Sequence, residues 1–415
     1  MNKFVSVLLA TTLLTGCVSA PSTTPSQTKI EATTLGLSAA PTPQIADDWW
    51  TAFGDPQLNA LVEKALSGSP TLAAALARMR EAQSELSATK TGTYPQASVD
   101  GQEVRERLSK NYIIPPPYGG TTTWIGTVQA NLSWSLDVFG KEAAQVERAR
   151  STADAAALDA TGARLALSGA VTQAYIALDR AYALVDVSDE AVKQRAGILE
   201  LTRGRVKAGL DTNSARSQAE ALLAMAREDL IAAQATRELA VHQIAALIGR
   251  GADAYDIQRP KLDAAALALP DTLPADLLAR RADIAAARAR IEAATAGRTA
   301  AHQAFYPDIN LVGLAGFAAL GLTSLLSTSS GQYGLGAAIH LPIFDAGKLR
   351  AQYAGATAQL DESVADYNAA VVGAVKQTAD ALTDLKATEE KAKQQRIALN
   401  SAEHGFNDAT VRYRS

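Results

Sequence analysis

From Val128 to Val138 the chain reads Val-Gln-Ala-Asn-Leu-Ser-Trp-Ser-Leu-Asp-Val, an unbroken alternation of apolar and polar side chains. Side chains of a β-strand point to opposite faces in turn, so this segment predicts a strand with two different faces. A half-buried strand of a globular sheet and a barrel strand between lipid and water would both give this pattern, which leaves the two interpretations open. The apolar face would hold Val128, Ala130, Leu132, Trp134, Leu136 and Val138.

A second alternating segment lies nearer the end of the chain. Each of the two segments has a companion strand before it, so the sequence predicts four strands. Four strands cannot close a barrel in a membrane, because about eight are the minimum and an open edge leaves backbone groups without partners in lipid. Membrane strands of this kind would need an oligomer that combines them. The shared face of the second segment would hold Tyr333, Leu335, Ala337, Ile339, Leu341 and Ile343.

The chain contains two copies of one structural unit. Tyr94-Pro95, for example, is echoed by Tyr306-Pro307 about two hundred residues further on. We expect residues 47–250 to form the first repeat and residues 251–415 to form the second. The predicted elements are strands at about 96–111 and 121–138 and long helices at 140–208 and 213–248 in the first repeat, then a helix at 274–306, strands at about 308–318 and 331–344 and a long helix at 346–415 in the second.

The predicted helices are long and rich in alanine. Only isolated glycines interrupt the helical pattern between Lys141 and Lys207, which corresponds to a helix of roughly 100 Å. Leu277, Ile284 and Ile291 recur at the heptad spacing of a coiled-coil seam. Helices of this length cannot surround one globular core, so they would form a sheath or a tube. A plain coiled-coil tether is the alternative, although such proteins do not carry alternating strands between their helices.

Residues 1–16 have the pattern of a signal peptide. Lys3 precedes an apolar run that is shorter than the roughly twenty residues of a membrane-spanning helix. Leu14-Thr15-Gly16-Cys17 resembles the bacterial lipobox, which predicts cleavage before Cys17 and attachment of acyl chains to it. Residues 17–46 would then be an acylated N-terminus and an extended tether rich in Ser, Thr and Pro. An ordinary signal peptide with an incidental cysteine is the alternative.

The composition excludes several classes of function. The chain has 47% hydrophobic residues, a net charge of -4 and one cysteine in 415 residues. Such a charge cannot hold nucleic acid by counterion release, and a single cysteine excludes a disulfide framework. His242, His302, His340 and His404 lie on different predicted elements, so we expect no metal site. Because no nucleophile or nucleotide-binding motif is present either, we expect no cofactor, no catalytic residue and no enzymatic activity.

Five segments, in order along the chain, carry a family resemblance. They are Trp49–Pro56, Leu58–Leu61, Leu277–Ile284, Ala304–Pro307 and Leu341–Leu349. Together they resemble the TolC-like family of outer-membrane efflux proteins, in its lipoprotein branch, the NodT-type factors that serve resistance-nodulation-division pumps. The chain departs from the family pattern at Ala282, where Pro is usual, and at Arg288, where Glu is usual.

The resemblance implies an α+β fold of the outer-membrane efflux protein type. In a homotrimer, four strands from each chain would form one twelve-stranded barrel in outer-membrane lipid, and the coiled-coil helices would form a periplasmic tunnel. The function implied is a passive conduit for drugs or other small toxic compounds, with an inner-membrane resistance-nodulation-division pump and a periplasmic adaptor (membrane fusion) protein as partners.

Two groups of residues follow from the resemblance. A helix-to-helix turn would meet the adaptor, or would be a plain hairpin turn with no partner; its residues are Val206, Gly209, Leu210 and Asp211. Gly209 can adopt the left-handed conformation that ends a helix, and Asp211 or Thr212 can cap the next. The junctions between barrel and helices would lie at Pro95, Gly140, Pro307, Pro342 and Gly347.

Two other functions remain open from the sequence. One is the same channel in a type I protein secretion system, and the other is a truncated, lipid-anchored coiled-coil protein without a pore. The Cys17 anchor favours efflux over protein export, and the alternating strands favour a channel over a scaffold. A helix returns after the turn at Gly209, whereas the second repeat stops at Ser415, so a counterpart of about 35 to 40 residues is expected to be missing. This predicts a fragment or a truncated form whose tunnel is not sealed.

Overall fold

The computed structural model describes residues 23–30, 46–111, 114–251, 257–262 and 280–414. The predicted signal peptide, Cys17, most of the predicted tether and the first part of the helix expected at 274–306 lie outside these residues. Leu277 of the predicted seam lies outside them too. Ile284 and Ile291, the other two seam residues, are both buried on one helix.

Helices and strands both contribute to the fold, so the predicted α+β class is confirmed. The elements are α1 (Pro56–Gly68), α2 (Pro70–Gly92), β1 (Gln96–Arg107), β2 (Thr122–Ser135), α3 (Lys141–Lys207), α4 (Asn213–Leu247), α5 (Ala282–Gln303), β3 (Asp308–Leu320), β4 (Gly331–His340) and α6 (Lys348–Arg414). A short 3₁₀ turn at Trp49–Phe53 precedes α1. In the part of the chain that the structure describes, no helix is both long and apolar enough to cross a membrane.

The four strands form one antiparallel sheet in the order β1-β2-β3-β4. The register pairs Ala130 of β2 with Val99 of β1 and with Ala315 of β3, and it pairs Ala315 with Tyr333 of β4. Because directly opposed residues point to the same side of a sheet, this row fixes which side chains share each face. The middle pair, β2 and β3, joins strands from the two halves of the sequence, and β1 and β4 are the edges.

Three strands are shorter than the sequence predicted. β1, β2 and β4 end at Arg107, Ser135 and His340, and not near residues 111, 138 and 344. The alternation of side chains continues past these points, but the backbone leaves the sheet: the segments after β2 and β4 turn to begin α3 and α6, and Pro342 has no N–H to donate. β3, in contrast, runs to Leu320 and not only to residue 318.

The chain divides into two compact units, and each contains parts of both sequence repeats. The first unit comprises Met1–Leu35, Arg80–Ala156 and Ile284–Ser415, and it holds the whole sheet. The second comprises Gly36–Met79 and Ala157–Asp283.

Each unit has its own apolar core. In the first unit, Ile291 of α5 packs against Leu360 and Val364 of α6. In the second unit, α1 packs on α3 and α4 through a larger cluster, and full burial of each such side chain contributes about 1.5–3 kcal/mol. The fully buried members of that cluster are Leu58, Val62, Ala65, Val171, Tyr175, Leu178 and Ile244.

A buried aspartate fixes the beginning of the second unit. Asp55 caps α1 by accepting a hydrogen bond from the N–H of Gln57 at 2.9 Å, and it also accepts the hydroxyl of Tyr175 at 2.7 Å and the N–H of Lys261 at 2.8 Å. Burial by itself would raise the pKa of Asp55, but the hydrogen bonds from Lys261, Tyr175 and Gln57 outweigh burial and leave the pKa below its ordinary value. Burial and the Asp55 carboxylate raise the pKa of Tyr175.

Candidate membrane-spanning sheet and helical turn

One face of the sheet is mainly apolar on β2, β3 and β4, whereas on β1 it is apolar only as far as Gly101 and then carries Glu103, Arg105 and Arg107. The register aligns Leu132, Gly313 and Leu335 in one row and Trp134, Leu311 and Ala337 in the next. The side chains of β4 on this face are largely uncovered, with Tyr333 90% and Leu335 75% exposed, and Leu132 and Trp134 of β2 are partly exposed. A surface of this kind is unfavourable in water, at about 25 cal/mol for each Å² of apolar area, and it requires lipid or protein against it.

Tryptophans mark the two ends of this apolar face. Trp124 and Trp134 lie on it at opposite ends of β2, and Arg105 stacks over the ring of Trp124 at 5.8 Å. Their separation of about ten residues corresponds to roughly 33 Å along the strand, or about 25 Å vertically if the strand is tilted by about 40°, which matches the apolar band of a membrane barrel. The indole N–H of Trp134 donates to the carbonyl of Thr93 at 3.0 Å.

The opposite face is mainly polar on β1 and β2. It carries Ser98, Asp100, Gln102, Gln129, Asn131 and Ser133, to which β4 adds Gln332. β3 contributes Asn310 to this face but also Val312 and Leu314. The predicted apolar set of β2 therefore shares one face from Val128 to Trp134, and Leu136 lies just past the end of the strand, where its N–H donates to the carbonyl of Ile309 at 2.9 Å.

An aspartate begins each of the two long helices. Asp137 accepts the N–H groups of Glu142 and Ala143 at 2.9 and 2.7 Å at the start of α3. Asp345 accepts those of Gly347 and Leu349 at 2.9 and 2.7 Å at the start of α6. The hydrogen bond from Leu349, followed by that from Gly347, outweighs a small effect of burial and holds the pKa of Asp345 below its ordinary value. The sequence analysis did not assign a role to either aspartate.

The predicted junction residues lie where strands and helices meet. Gly140 and Gly347 have φ angles of +80° and +90°, which favour glycine because a side chain there is strained. Pro95 lies between α2 and β1, Pro307 between α5 and β3, and Pro342 between β4 and α6.

A cleft of about 600 Å³ lies among these junctions in the first unit. Phe139 stacks on Tyr306 at 5.2 Å between ring centres on its wall. Lys141, at the start of α3, donates from Nζ to Asp308, at the start of β3, at 2.7 Å. This ion pair could not be predicted from the sequence, because no local pattern relates residues that are so far apart in the chain.

The turn between α3 and α4 ends one helix and begins the next with hydrogen-bonded caps on both helices. Gly209 has φ +69°, and the N–H groups of Gly209 and Leu210 donate to the carbonyls of Val206 and Arg205 at 3.0 and 2.9 Å. This is the Schellman arrangement of a helix C-terminus. Thr212 then caps α4 by accepting the N–H of Ala215 at 3.2 Å. The expected left-handed Gly209 and the Thr212 cap are confirmed.

The surface of the turn is exposed and partly charged. Leu210 is 71% exposed at its tip. Asp211 forms an ion pair with Arg205 at 3.3 Å, and its Oδ1 accepts the N–H of Thr212 at 2.9 Å. Behind the turn, Leu199 of α3 packs against Ala219 and Leu223 of α4. The turn is therefore a rigid structure that presents an apolar side chain to its surroundings.

Residues 23–30 form a strap along helices of the first unit. Asp361 of α6 accepts the N–H groups of Ser26 and Gln27 at 2.8 and 3.0 Å and the hydroxyl of Ser26 at 2.9 Å. Two turns further along α6, Asn368 accepts the N–H of Ile30 at 2.9 Å. The opposite end is held by α5, since Arg298 donates to the carbonyl of Thr23 at 2.8 Å. Part of the region expected to be an extended tether is thus bound along the protein.

A sheet with one apolar and one polar face, joined to very long helices, defines the class of outer-membrane channel proteins. The sequence matches the family described as "Outer membrane efflux protein" over residues 61–250 and 273–415. The chain belongs to this family. It is an efflux channel protein of the outer membrane and not an enzyme, and the predicted resemblance to the outer-membrane efflux protein family is confirmed. The assignment to the lipoprotein branch of that family stays a prediction.

Relatives with related names support the assignment. The fusaric acid resistance protein FusA of Burkholderia cepacia is 37% identical over 365 residues, which are 85% of this chain and 69% of FusA. The putative multidrug resistance outer membrane protein MdtQ of Escherichia coli K12 is 31% identical over 84% of this chain and 74% of its own length. The structure of the outer membrane protein VceC from Vibrio cholerae matches with a TM-score of 0.83 at 33% identity, covering 89% of both chains.

Proposed function

We propose that three copies of this chain form the outer-membrane channel of a tripartite efflux system, a passive conduit for drugs or other small toxic compounds. The observation that carries this proposal is the sheet. Its edges, β1 and β4, have no partner strand among the described residues, and its apolar face is partly to largely exposed. In lipid an open edge leaves N–H and C=O groups unsatisfied, so the edges must pair with other copies. Three copies supply twelve strands, more than the eight or so that a closed barrel requires.

In this assembly the apolar face contacts lipid and the polar face lines the pore. Val128, Ala130, Leu132 and Trp134 would then contact outer-membrane lipid along β2, with Leu136 at the end of the band. The height of about 25 Å between the two tryptophans supports this orientation. The proposed solutes agree with the names of the relatives, of which FusA is described by resistance to fusaric acid and MdtQ by multidrug resistance.

A crosslink between the edges of neighbouring copies tests the trimer. Val99→Cys on β1 combined with Tyr333→Cys on β4 places one thiol on each edge of the same face. With a short bis-maleimide, we expect dimer and trimer bands from outer membranes, and conductance of the purified protein across a planar bilayer. The matched control is Val99→Cys with Phe317→Cys, because Phe317 lies on β3, which is paired on both sides. Monomer bands only, together with no conductance, would exclude the proposed channel.

The partners proposed are a periplasmic adaptor and an inner-membrane resistance-nodulation-division pump. The turn supports a docking role because its rigid Schellman arrangement holds the exposed Leu210 at the tip. Leu210→Asp should leave the fold intact and weaken crosslinking to the adaptor about tenfold, since an apolar contact would be replaced by a desolvated charge. Leu326→Asp, at a residue 74% exposed in the β3–β4 connection, is the control. Equal adaptor crosslinking by both variants would remove the docking role.

We also propose that Cys17 carries the lipid that anchors the chain. The direction of the strap supports this proposal. From Ile30 back to Thr23, the strap contacts first Asn368 and Asp361 of α6 and then Arg298 of α5. From Arg298, α5 continues toward β3. The residues from Cys17 to Thr23 can span about 20 Å when extended, enough to reach the base of the sheet. Labelled fatty acid should enter the wild-type chain and not Cys17→Ala. Equal labelling of both would contradict the anchor.

A further inference from the structure

The polar face of the sheet has an uneven distribution of charge. Along the four strands it bears three carboxylates and His340 and no lysine or arginine, whereas both arginines of the strands lie on the other face with Glu103. The carboxylates are Asp100, Glu106 and Asp308. Because Asp308 is neutralised by its ion pair with Lys141 at 2.7 Å, the net negative charge of this face comes from Asp100 and Glu106.

Asp100 ends a chain of side-chain amides that crosses the sheet. Gln332 of β4 donates to Gln129 of β2 at 3.2 Å, Gln129 donates to Asn131 at 2.9 Å, and Asn131 donates to Oδ2 of Asp100 on β1 at 2.6 Å. Ser98 adds a further donor to the same oxygen at 3.1 Å. Every donor in the chain is directed toward the carboxylate, which holds Asp100 in one position against the wall.

The chain of amides depends on a glycine in the intervening strand. Gln129 and Gln332 lie on strands that are not neighbours, and both are directly opposite Gly316 of β3. A Cβ at residue 316 would approach the carbonyl oxygen of Val128 to 2.3 Å and Cβ of Gln129 to 2.7 Å. The absence of a side chain at this position lets the two glutamines meet across β3.

We propose that Asp100 makes the channel selective for cations over anions, so that positively charged solutes are favoured. The inference rests on the proposed trimeric barrel, in which the three copies of Asp100 form a ring on the wall of the water-filled pore. Glu106, nearer the end of β1, adds a second ring of the same sign. Rings of carboxylates on the wall of a pore raise the local concentration of cations and lower that of anions.

The ionic strength decides how far these rings act. Twelve strands spaced by about 4.8 Å and tilted by about 40° place the wall roughly 12 Å from the pore axis. The Debye length is about 10 Å at 0.1 M salt and about 3 Å at 1 M. The field of Asp100 therefore reaches the axis at low salt and is confined to the wall at high salt, so the selectivity should weaken as salt is raised.

The proposal is tested by measuring the reversal potential of the channel across a planar bilayer in a KCl gradient. The wild type should prefer K⁺ over Cl⁻, and Asp100→Asn, which keeps the shape and a hydrogen-bond acceptor, should lower the permeability ratio by about twofold toward unity. Glu103→Gln is the matched control, since it removes a charge on the opposite face three residues away, and its ratio should equal that of the wild type. Gln102→Glu, which adds a carboxylate to the polar face of β1, should raise the ratio even if the aspartate variant assembles poorly.

The outcomes separate this inference from the proposed function. Conductance with the same permeability ratio in the wild type, Asp100→Asn and Gln102→Glu would overturn the assignment of Asp100 and leave the channel intact. An equal decrease in Glu103→Gln would show that the polar face does not line the pore, which also overturns it. Absence of conductance in the wild type would refute the channel, and the selectivity with it.

Discussion

An aspartate caps each of the two long helices where the chain leaves the sheet, and only part of this role can be predicted from the sequence. Asp137 and Asp345 both cap a long helix, where a carboxylate meets the positive end of the helix dipole. Asp137 lies three residues before Gly140, whereas Asp345 lies two residues before Gly347. The two aspartates therefore do not occupy equivalent positions in the two sequence repeats. In the second junction Ala346, which precedes Gly347, also has a positive φ, of +53°. The glycines are predictable because a helix junction requires them, whereas the capping geometry depends on the path of the backbone.

Asp55 provides the clearest test at the scale of one residue. Its hydrogen bonds lower its pKa in the folded protein, so they stabilise the fold above the ordinary pKa of about 3.9, and that stabilisation is lost as the pH falls through the lower folded value. Asp55→Asn keeps only one acceptor oxygen, so either the N–H of Gln57, which donates to Oδ1, or both the hydroxyl of Tyr175 and the N–H of Lys261, which donate to Oδ2, lose their acceptor. At neutral pH this should reduce the free energy of unfolding by about 1–3 kcal/mol.

Thermal melts followed by circular dichroism in detergent would check this prediction. The midpoint of Asp55→Asn should be lower than that of the wild type at pH 7, and the difference should shrink below about pH 4. Asp48→Asn is the control, because the side chain of Asp48 makes no capping hydrogen bond to the turn that it precedes. A difference that stays constant from pH 7 to pH 3 would contradict the role of the carboxylate charge.

At the scale of the element, alternation predicts some strands well and others poorly. β2 alternates from Val128 onward and β4 places Tyr333, Leu335 and Ile339 on one face, so the apolar faces of both strands follow from the sequence. β1 does not follow this pattern, because Glu103, Arg105 and Arg107 lie on the face that is apolar in the other strands. Its orientation depends on the register with β2, which is a long-range property. The strand ends are also poorly predicted, since the side chains of residues 136–138 continue the pattern after the backbone has left the sheet.

The strap is an element that composition alone does not predict, because Ser-, Thr- and Pro-rich segments are usually free. Asp361→Ala combined with Asn368→Ala removes the hydrogen bonds to Ser26, Gln27 and Ile30. We expect limited proteolysis within residues 23–30 to become at least about tenfold faster, because a segment is cut in proportion to the time it spends detached.

The pH dependence gives the strap a second test. The N–H of Gln27, followed by the hydrogen bonds of Ser26, outweighs a small effect of burial and lowers the pKa of Asp361. The strap should therefore stay bound above the ordinary pKa of an aspartate and detach as the pH falls through the lowered value. Glu362→Ala, at the exposed neighbour of Asp361 on α6, is the control and should be cut as slowly as the wild type. Equally slow cutting of the double variant would show that these bonds do not hold the strap.

At the scale of the whole molecule, the sequence predicts a duplication but not how its copies combine. The echo of Tyr94-Pro95 in Tyr306-Pro307 indicates two repeats, one at residues 47–250 and the other at residues 251–415. The structure instead has two compact units that each take segments from both repeats. The reason is the pairing of β2 with β3, which joins the repeats in the middle of the sheet. Strand pairing between distant segments leaves no local mark in a sequence, so this arrangement could not be predicted from it.

The two faces of the assembled sheet should differ in their tolerance of charge. Leu335 and Ala338 are both exposed residues of β4, but Leu335 lies on the apolar face and Ala338 on the other. If the apolar face contacts lipid, Leu335→Arg should cost about 2–4 kcal/mol near the middle of the membrane, whereas Ala338→Arg should face water. Heat-modifiable migration of outer-membrane samples on gels reports the assembled barrel. We expect that species to be strongly reduced in Leu335→Arg and preserved in Ala338→Arg. Equal amounts of the heat-modifiable species in both variants would mean that both faces of the sheet contact water. Absence of that species from wild-type membranes would favour a scaffold without a pore.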